Sequence, residues 1–469
     1  MWAGNNTFIS LAMLEPDIKC NNMSNLYNKT NGFVDPTHPD YCIVYKNCPD
    51  NLTTSNKLFY SPVEEWLLIC DKAYIQDLIF GIYLGGRILG SFFGGHLGDY
   101  VGRKKGFFMA QFFILLSSVM TIASTSWIPM AVCQYLNGFM FGVIIVTSYA
   151  LMFEYTSNKY SLIANASFQY AVGYMVVAGV GALTRDWRYY LIFVNLISAP
   201  LLVAYMLFLE SPRYLVAKGR LHDAAEVLTN FASERWNNKS VEVWPEELSL
   251  IPRDESNRVY TFVHLFITKK LAIQSLLQML SAFTCSILTA IFLSTLNIMP
   301  GGPFLHFLLY GVLRFWAPLL IIVLDLKIPK CGRRHFYLTS LCLVGVCVVV
   351  VIIAMALGYN ASSPVVFVVA MMAIIINVSA YFMSVLHITA AVYPTVVRCT
   401  AFGTLHITDD VGTILSQLQI EKLGVGMWLG WPYVVCLCFV IANFALALFL
   451  QQETKGKQLI DRLEDLKNE

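Results

Sequence analysis

With 469 residues the chain is long enough for three soluble domains, but 57% hydrophobic content, 13% charged residues and a mean hydropathy of +0.60 exclude that class. The formal net charge of +2 singles out no partner, and nothing in the sequence points to nucleic acid. Residues 1–72 precede the long apolar runs and are expected to form an extracellular segment. Asn5, Asn22, Asn28 and Asn51 each begin an N-x-S/T glycosylation sequon. Cys20, Cys42, Cys48 and Cys70 share the segment, and in an oxidising compartment they predict two disulfides, with three pairings open. Residues 8–13 look like the tail of a helix with nothing in front of it, and no signal peptide precedes the segment. A truncated product is therefore expected, the alternative being a span at 73–97 that inserts with its start outside.

Eleven apolar runs follow, near 73–97, 106–126, 128–152, 161–183, 188–209, 271–297, 303–325, 336–358, 363–389, 399–421 and 428–451. Each is about the 20 residues that cross a bilayer as a helix, and none alternates like a barrel strand. The fold class is an all-α polytopic membrane protein. Its expected parts are an N-terminal bundle over 73–209, a cytoplasmic linker over 210–270, a C-terminal six-helix bundle over 271–451 and a cytoplasmic tail over 452–469. The loops assigned to the inside carry 22 Lys and Arg residues and the short outer connections carry 3, which fixes the orientation.

Several motifs stand at the cytoplasmic helix ends. The stretch from Gly95 to Lys105, with Gly95, Leu97, Asp99, Gly102, Arg103 and Lys104, resembles the signature loop between the second and third helices of the major facilitator superfamily. Tyr100 replaces the usual arginine there. Glu210-Ser211-Pro212-Arg213, Tyr393-Pro394-Thr395 with Arg398, and Glu453-Thr454-Lys455-Gly456 resemble motifs of the organic cation, anion and carnitine transporters within that superfamily. The resemblance implies two six-helix bundles, here with the first helix apparently missing, and a solute site near the midplane. It also implies an inner gate of ion pairs built from Asp99, Arg103, Lys104, Glu154, Arg213, Asp325, Arg333 and Arg398. Gln134 and Ala391 stand where the family usually has an arginine and a glutamate, so a weakened gate is expected, or one rebuilt from Glu154, Arg213 and Arg398.

Ionisable groups inside the bilayer are costly, so Arg87, Arg314 and the adjacent Asp409 and Asp410 are candidate site residues. Neighbours on a helix point about 100° apart, so one acid of the two can face a cavity squarely. The spacing from Tyr393-Pro394-Thr395, read through the resemblance, selects Asp410. Its carboxylate is expected to pair with a cationic solute, helped by cation–π faces from Trp316 and Tyr149. The alternative is that Asp410 neutralises Arg314 or Arg87. Arg314 also leaves room for an anion or a carnitine-like zwitterion. His306, His387 and His406 are more plausibly packed than proton carriers.

No phosphate loop, H-E-x-x-H, G-x-S-x-G or paired CxxC sequence occurs, so the chain is expected to be no enzyme and to hold no cofactor or metal. The expected function is transport of small organic ions, cations favoured, across the plasma membrane, with the coupling ion unassigned. A non-transporting scaffold is the alternative from another class.

Overall fold

The computed structural model describes residues 2–20, 34, 36, 40–47, 52–55, 58–155, 170–206, 209–235, 243–251, 260–297, 302–328, 332–359, 363–383, 392–417, 428 and 430–455. The apolar runs fold as helices because lipid offers backbone groups no partner. In the first bundle these are α1 (Trp2–Ala12), α2 (Tyr74–Tyr100), α3 (Arg103–Ile122), α4 (Trp127–Tyr155), α5 (Tyr170–Thr184) and α6 (Trp187–Met206). The second holds α7 (Lys269–Asn297), α8 (Gly302–Lys327), α9 (Arg333–Ala356), α10 (Pro364–Tyr381), α11 (Arg398–Leu415) and α12 (Trp431–Leu450). Among the described residues, seven helices are long and apolar enough to cross a membrane. Proline at the first turn starts α10 and α12, and Ser363 caps α10 by accepting from the Val366 N–H at 3.4 Å.

Residues 2–12, assigned from sequence to the outer segment, instead form a helix packed inside the first bundle. Phe8, Leu11 and Ala12 are buried against α6, where Phe8 stacks on Tyr190 at 6.3 Å. Asn5 is 5% exposed, and its Oδ1 accepts from Ser118 Oγ at 3.0 Å, which in turn accepts from Asn195 Nδ2 at 2.8 Å. A carboxamide held in a bundle interior cannot accept a glycan, so the expectation for Asn5 is corrected. Asn22, Asn28 and Asn51 lie outside the described residues.

The outer segment is small and tied down at several points. Strands β1 (Asp17–Cys20) and β2 (Leu52–Ser55) pair antiparallel with Ile18 opposite Thr54. Of the three open pairings the structure forms Cys42–Cys70, with Cα atoms 5.5 Å apart; Cys48 lies outside the described residues. Glu65 holds the segment to α6 by accepting from both Arg188 amino groups, at 2.6 and 2.8 Å, and from Trp187 Nε1 at 2.8 Å. Phe59 meets Phe304 of α8 edge to face at 5.8 Å.

Each bundle is welded differently. On one face of α2, Gly90 sits against the Phe139 carbonyl of α4, and a Cβ at Gly142 would lie 2.5 Å from the Ser91 nitrogen, so the two backbones touch. The second bundle uses a buried polar triad. Tyr337 donates to Ser281 at 2.8 Å, Asn443 Nδ2 donates to Tyr337 at 3.0 Å, and Ser281 donates to Asn443 at 3.2 Å.

Asn5→Gln should leave the glycosidase-sensitive gel shift unchanged. A smaller shift in that variant would mean that Asn5 carries a glycan and that α1 is misplaced.

Candidate functional site

The inner end of the molecule is closed by a buried charge cluster. Gly102, with φ 120°, turns the chain from α2 into α3 in a conformation that glycine tolerates. Arg103 follows, 1% exposed, and its Nη2 pairs with Asp99 Oδ1 at 3.2 Å and Glu154 Oε1 at 3.1 Å. The same nitrogen donates to the Thr395 carbonyl at 2.7 Å. Glu154 Oε1 also takes Arg398 Nη1, from the other bundle, at 3.2 Å. Asp99 crosses between bundles too, accepting from the Thr400 N–H at 2.9 Å, its hydroxyl at 2.8 Å and the Cys399 N–H at 3.2 Å. These N–H groups open α11, where a carboxylate is favoured.

Of the residues expected to rebuild the gate, Glu154, Arg213 and Arg398, the structure brings Glu154 and Arg398 together across the bundles, with Arg103 between Glu154 and Asp99. Gln134 lies about 30 Å from Glu154 along the same helix, by the 1.5 Å rise per residue. It belongs to the opposite end of the membrane, so its identity does not bear on this gate. Ala391 lies outside the described residues, as does the side chain of Asp325. Arg213 sits on the short helix Pro212–Ala217, whose Tyr214 ring lies 4.4 Å below the Arg103 guanidinium. Burial pushes the Tyr214 phenol up to about 12, so it stays neutral and donates to the Tyr100 carbonyl at 2.8 Å.

Glu210 and Glu453 were legible as motif residues, but their contacts were not. Glu210 Oε1 accepts from the Arg103 and Lys104 N–H groups at 3.0 and 3.1 Å, capping α3. Glu453 does the same for α9, accepting from the Arg333 and Arg334 N–H groups at 2.9 and 3.2 Å. Lys104 and Arg333 thus take part in the inner end through their backbones. The signal was there: each glutamate follows the last helix of a bundle.

About midway along the helices the bundles line a half-open cavity of about 210 Å³. Tyr83 and Arg87 of α2, Phe141 and Tyr149 of α4, and Tyr174 of α5 line it from the first bundle, with Ile9 and Ser10 of α1. Ser286 and Thr289 of α7, Tyr310 and Arg314 of α8, Tyr381 of α10 and Asp409 and Thr413 of α11 line it from the second. Arg314 Nη1 donates to the Tyr310 hydroxyl at 2.8 Å. The two acids divide as helix geometry requires, but in the order opposite to that expected. Asp409, with a side chain 20% exposed, faces the cavity; Asp410, 1% exposed, is turned behind it and pairs with Arg87 Nη2 at 2.5 Å. Arg87 reaches Asp409 only at 3.9 Å.

Asp410 is thus placed as the alternative reading of the sequence had it, paired with Arg87 rather than facing the cavity. Trp316 is corrected: it is 64% exposed and turned away from the cavity, two residues and about 200° from Arg314. Tyr149 does line the cavity, with His406 stacked behind its ring at 5.8 Å. His306 is buried, and His387 lies outside the described residues.

Two helical bundles that close on the inside around buried ion pairs and line a charge-bearing cavity midway along their helices define a multi-pass membrane transporter of the major facilitator fold, not an enzyme. The chain belongs to the sugar (and other) transporter family, which matches residues 33–465. It is similar to solute carrier family 22 member 2 of Rattus norvegicus, 26% identical over 87% of this chain and 72% of the relative. It is also similar to the organic cation transporter protein of Drosophila melanogaster, 23% identical over 90% of this chain and 77% of that one. Among solved structures, the proton:xylose symporter XylE bound to 6-bromo-6-deoxy-D-glucose superposes with a TM-score of 0.64 at 16% identity, covering 88% of this chain and 92% of XylE.

Glu154→Ala leaves Arg103 and Arg398 buried without their shared carboxylate, a change that costs about 3–5 kcal/mol. The apparent melting temperature of the purified protein should fall by several degrees, and an unchanged melting curve would remove Glu154 from the gate.

Proposed function

We propose that the chain carries small organic cations across the plasma membrane by alternating access, the bundles rocking about the cavity. The observation that supports this best is the cavity-facing carboxylate of Asp409 within walls of tyrosine. A cation there gains a Coulomb partner in a low dielectric, and the faces of Tyr149, Tyr174 and Tyr381 add cation–π attraction. The name of the Drosophila relative agrees with it, and so do the disulfide and the sequons of the outer segment for a cell-surface destination.

A second reading is favoured by Arg314. A guanidinium and a carboxylate on the same wall suit a solute with separated charges, such as a carnitine-like zwitterion, or an anion held by Arg314 alone. Coupling to an ion gradient is left open by both readings.

Uptake of labelled tetraethylammonium, carnitine and an aromatic anion in cells displaying the chain separates them. Asp409→Asn should raise the KM for tetraethylammonium at least tenfold, about 1.4 kcal/mol of lost attraction, with surface expression unchanged. Equal cation uptake by that variant would sink the cation reading. Arg314→Ala should spare tetraethylammonium and impair carnitine or the anion; if no solute responds, Arg314 is structural.

A further inference from the structure

We propose that Arg87 is an internal counter-cation that latches the two bundles at the depth of the cavity, and that a solute cation at Asp409 releases it. The second half rests on the cation reading above; the first does not.

The guanidinium is mounted rigidly. It projects from the part of α2 whose backbone touches α4 at Gly90 and Gly142, and it lies 5.1 Å over the Phe141 ring. From there it crosses to the other bundle, reaching Asp410 at 2.5 Å and Asp409 at 3.9 Å. The two helices it joins continue toward the cytoplasm as one tight seam. A Cβ on Gly403 would lie 2.5 Å from the Ser91 carbonyl, one on Gly95 would lie 2.9 Å from the Thr400 Cα, and one on Gly98 would lie 2.8 Å from Cys399 Sγ. No side chain fits between α2 and α11 along this line. At its far end stands Asp99 on the Cys399 and Thr400 N–H groups. The seam is therefore pinned at both ends, by Asp99 at the cytoplasm and by Arg87 beside the solute cavity.

Opening the seam on the inside must separate Arg87 from Asp410. A carboxylate left in a desolvated wall without a cation is strongly disfavoured, so the empty protein holds the seam shut. A solute cation that enters at Asp409, where Arg87 is 3.9 Å away, changes the balance. Adjacent Asp409 and Asp410 then keep one cation between them when Arg87 withdraws with its bundle. A neutral solute of the same shape brings no such replacement. Arg87 acts here as a positioning residue that ties opening to the charge of the solute.

Cys399, buried in the seam, reports its opening directly. Membranes holding the full chain would be treated with N-ethylmaleimide, and alkylation of Cys399 followed on its own peptide by mass spectrometry. The wild-type rate should be slow and should rise several-fold with tetraethylammonium. Arg87→Gln and Asp410→Asn should alkylate fast without it. Asp409→Asn should stay slow and lose the response. The exchange R87D/D410R, made to guard against misfolding in the single variants, should return the slow rate. Arg87→Gln alkylating at the wild-type rate in surface-delivered protein would overturn the latch. A fast Arg87→Gln beside a wild type that ignores tetraethylammonium would keep the latch and overturn release by a cation.

Discussion

One carboxylate, that of Glu154, carries the inner closure. It is buried and sits between two buried guanidiniums, Arg103 from its own bundle and Arg398 from the opposite one. With Asp99 the cluster contains two cations and two anions, so it is neutral as a whole while each member depends on the others. Buried ion pairs gain little net stability, because desolvation offsets most of the Coulomb attraction. That near-cancellation suits a joint that must part. When the bundles separate here, water replaces the lost partners, and the energy of the open and closed forms stays comparable. An apolar seam of the same area would have no such compensation.

The contacts sort by whether they must ever break. Inside the first bundle, α2 and α4 approach backbone to backbone, which leaves nothing to rearrange. Inside the second, the Ser281, Tyr337 and Asn443 triad has each member both donating and accepting, so sliding one helix would strand several polar groups at once. Between the bundles the terms are charges, helix-end N–H groups, glycines and aromatic pairs such as Phe153 on Phe402 and Tyr174 on Phe307. Helix α2 has both kinds of contact on two of its faces, so the rigid half and the moving half of the machine meet along one element.

The sequence revealed the eleven helices from α2 to α12, and the motif residues of the inner rim, because both follow from local rules; α1 was not among them. An apolar run of bilayer length and a loop with Asp99, Gly102 and Arg103 need no partner to be recognised. The cavity was harder. Asp409 and Asp410 are neighbours, and which one faces inward is set by the rotation of α11 against α2, a tertiary quantity absent from any short window. Arg87 holds Asp410, the acid turned behind the cavity, and leaves Asp409 facing it. Trp316 failed for a similar reason: membrane helices are apolar all round, so no polar face marks which side looks at lipid. Asn5 carries a complete sequon, but a sequon says nothing of whether its helix is packed, and α1 is.

The two capping glutamates have a further consequence. Glu210 returns from the end of α6 to the start of α3, and Glu453 returns from beyond α12 to the start of α9. Each half of the chain is thus tied back on itself at its inner rim, the first half by the residue that opens the linker. The linker adds to these ties, with Tyr214 under Arg103 in the first half and Leu265 accepting from Ser275 in the second. Two separately synthesised polypeptides, cut in the linker between Tyr214 and Leu265, are therefore expected to fold each on its own and to pair in the bilayer.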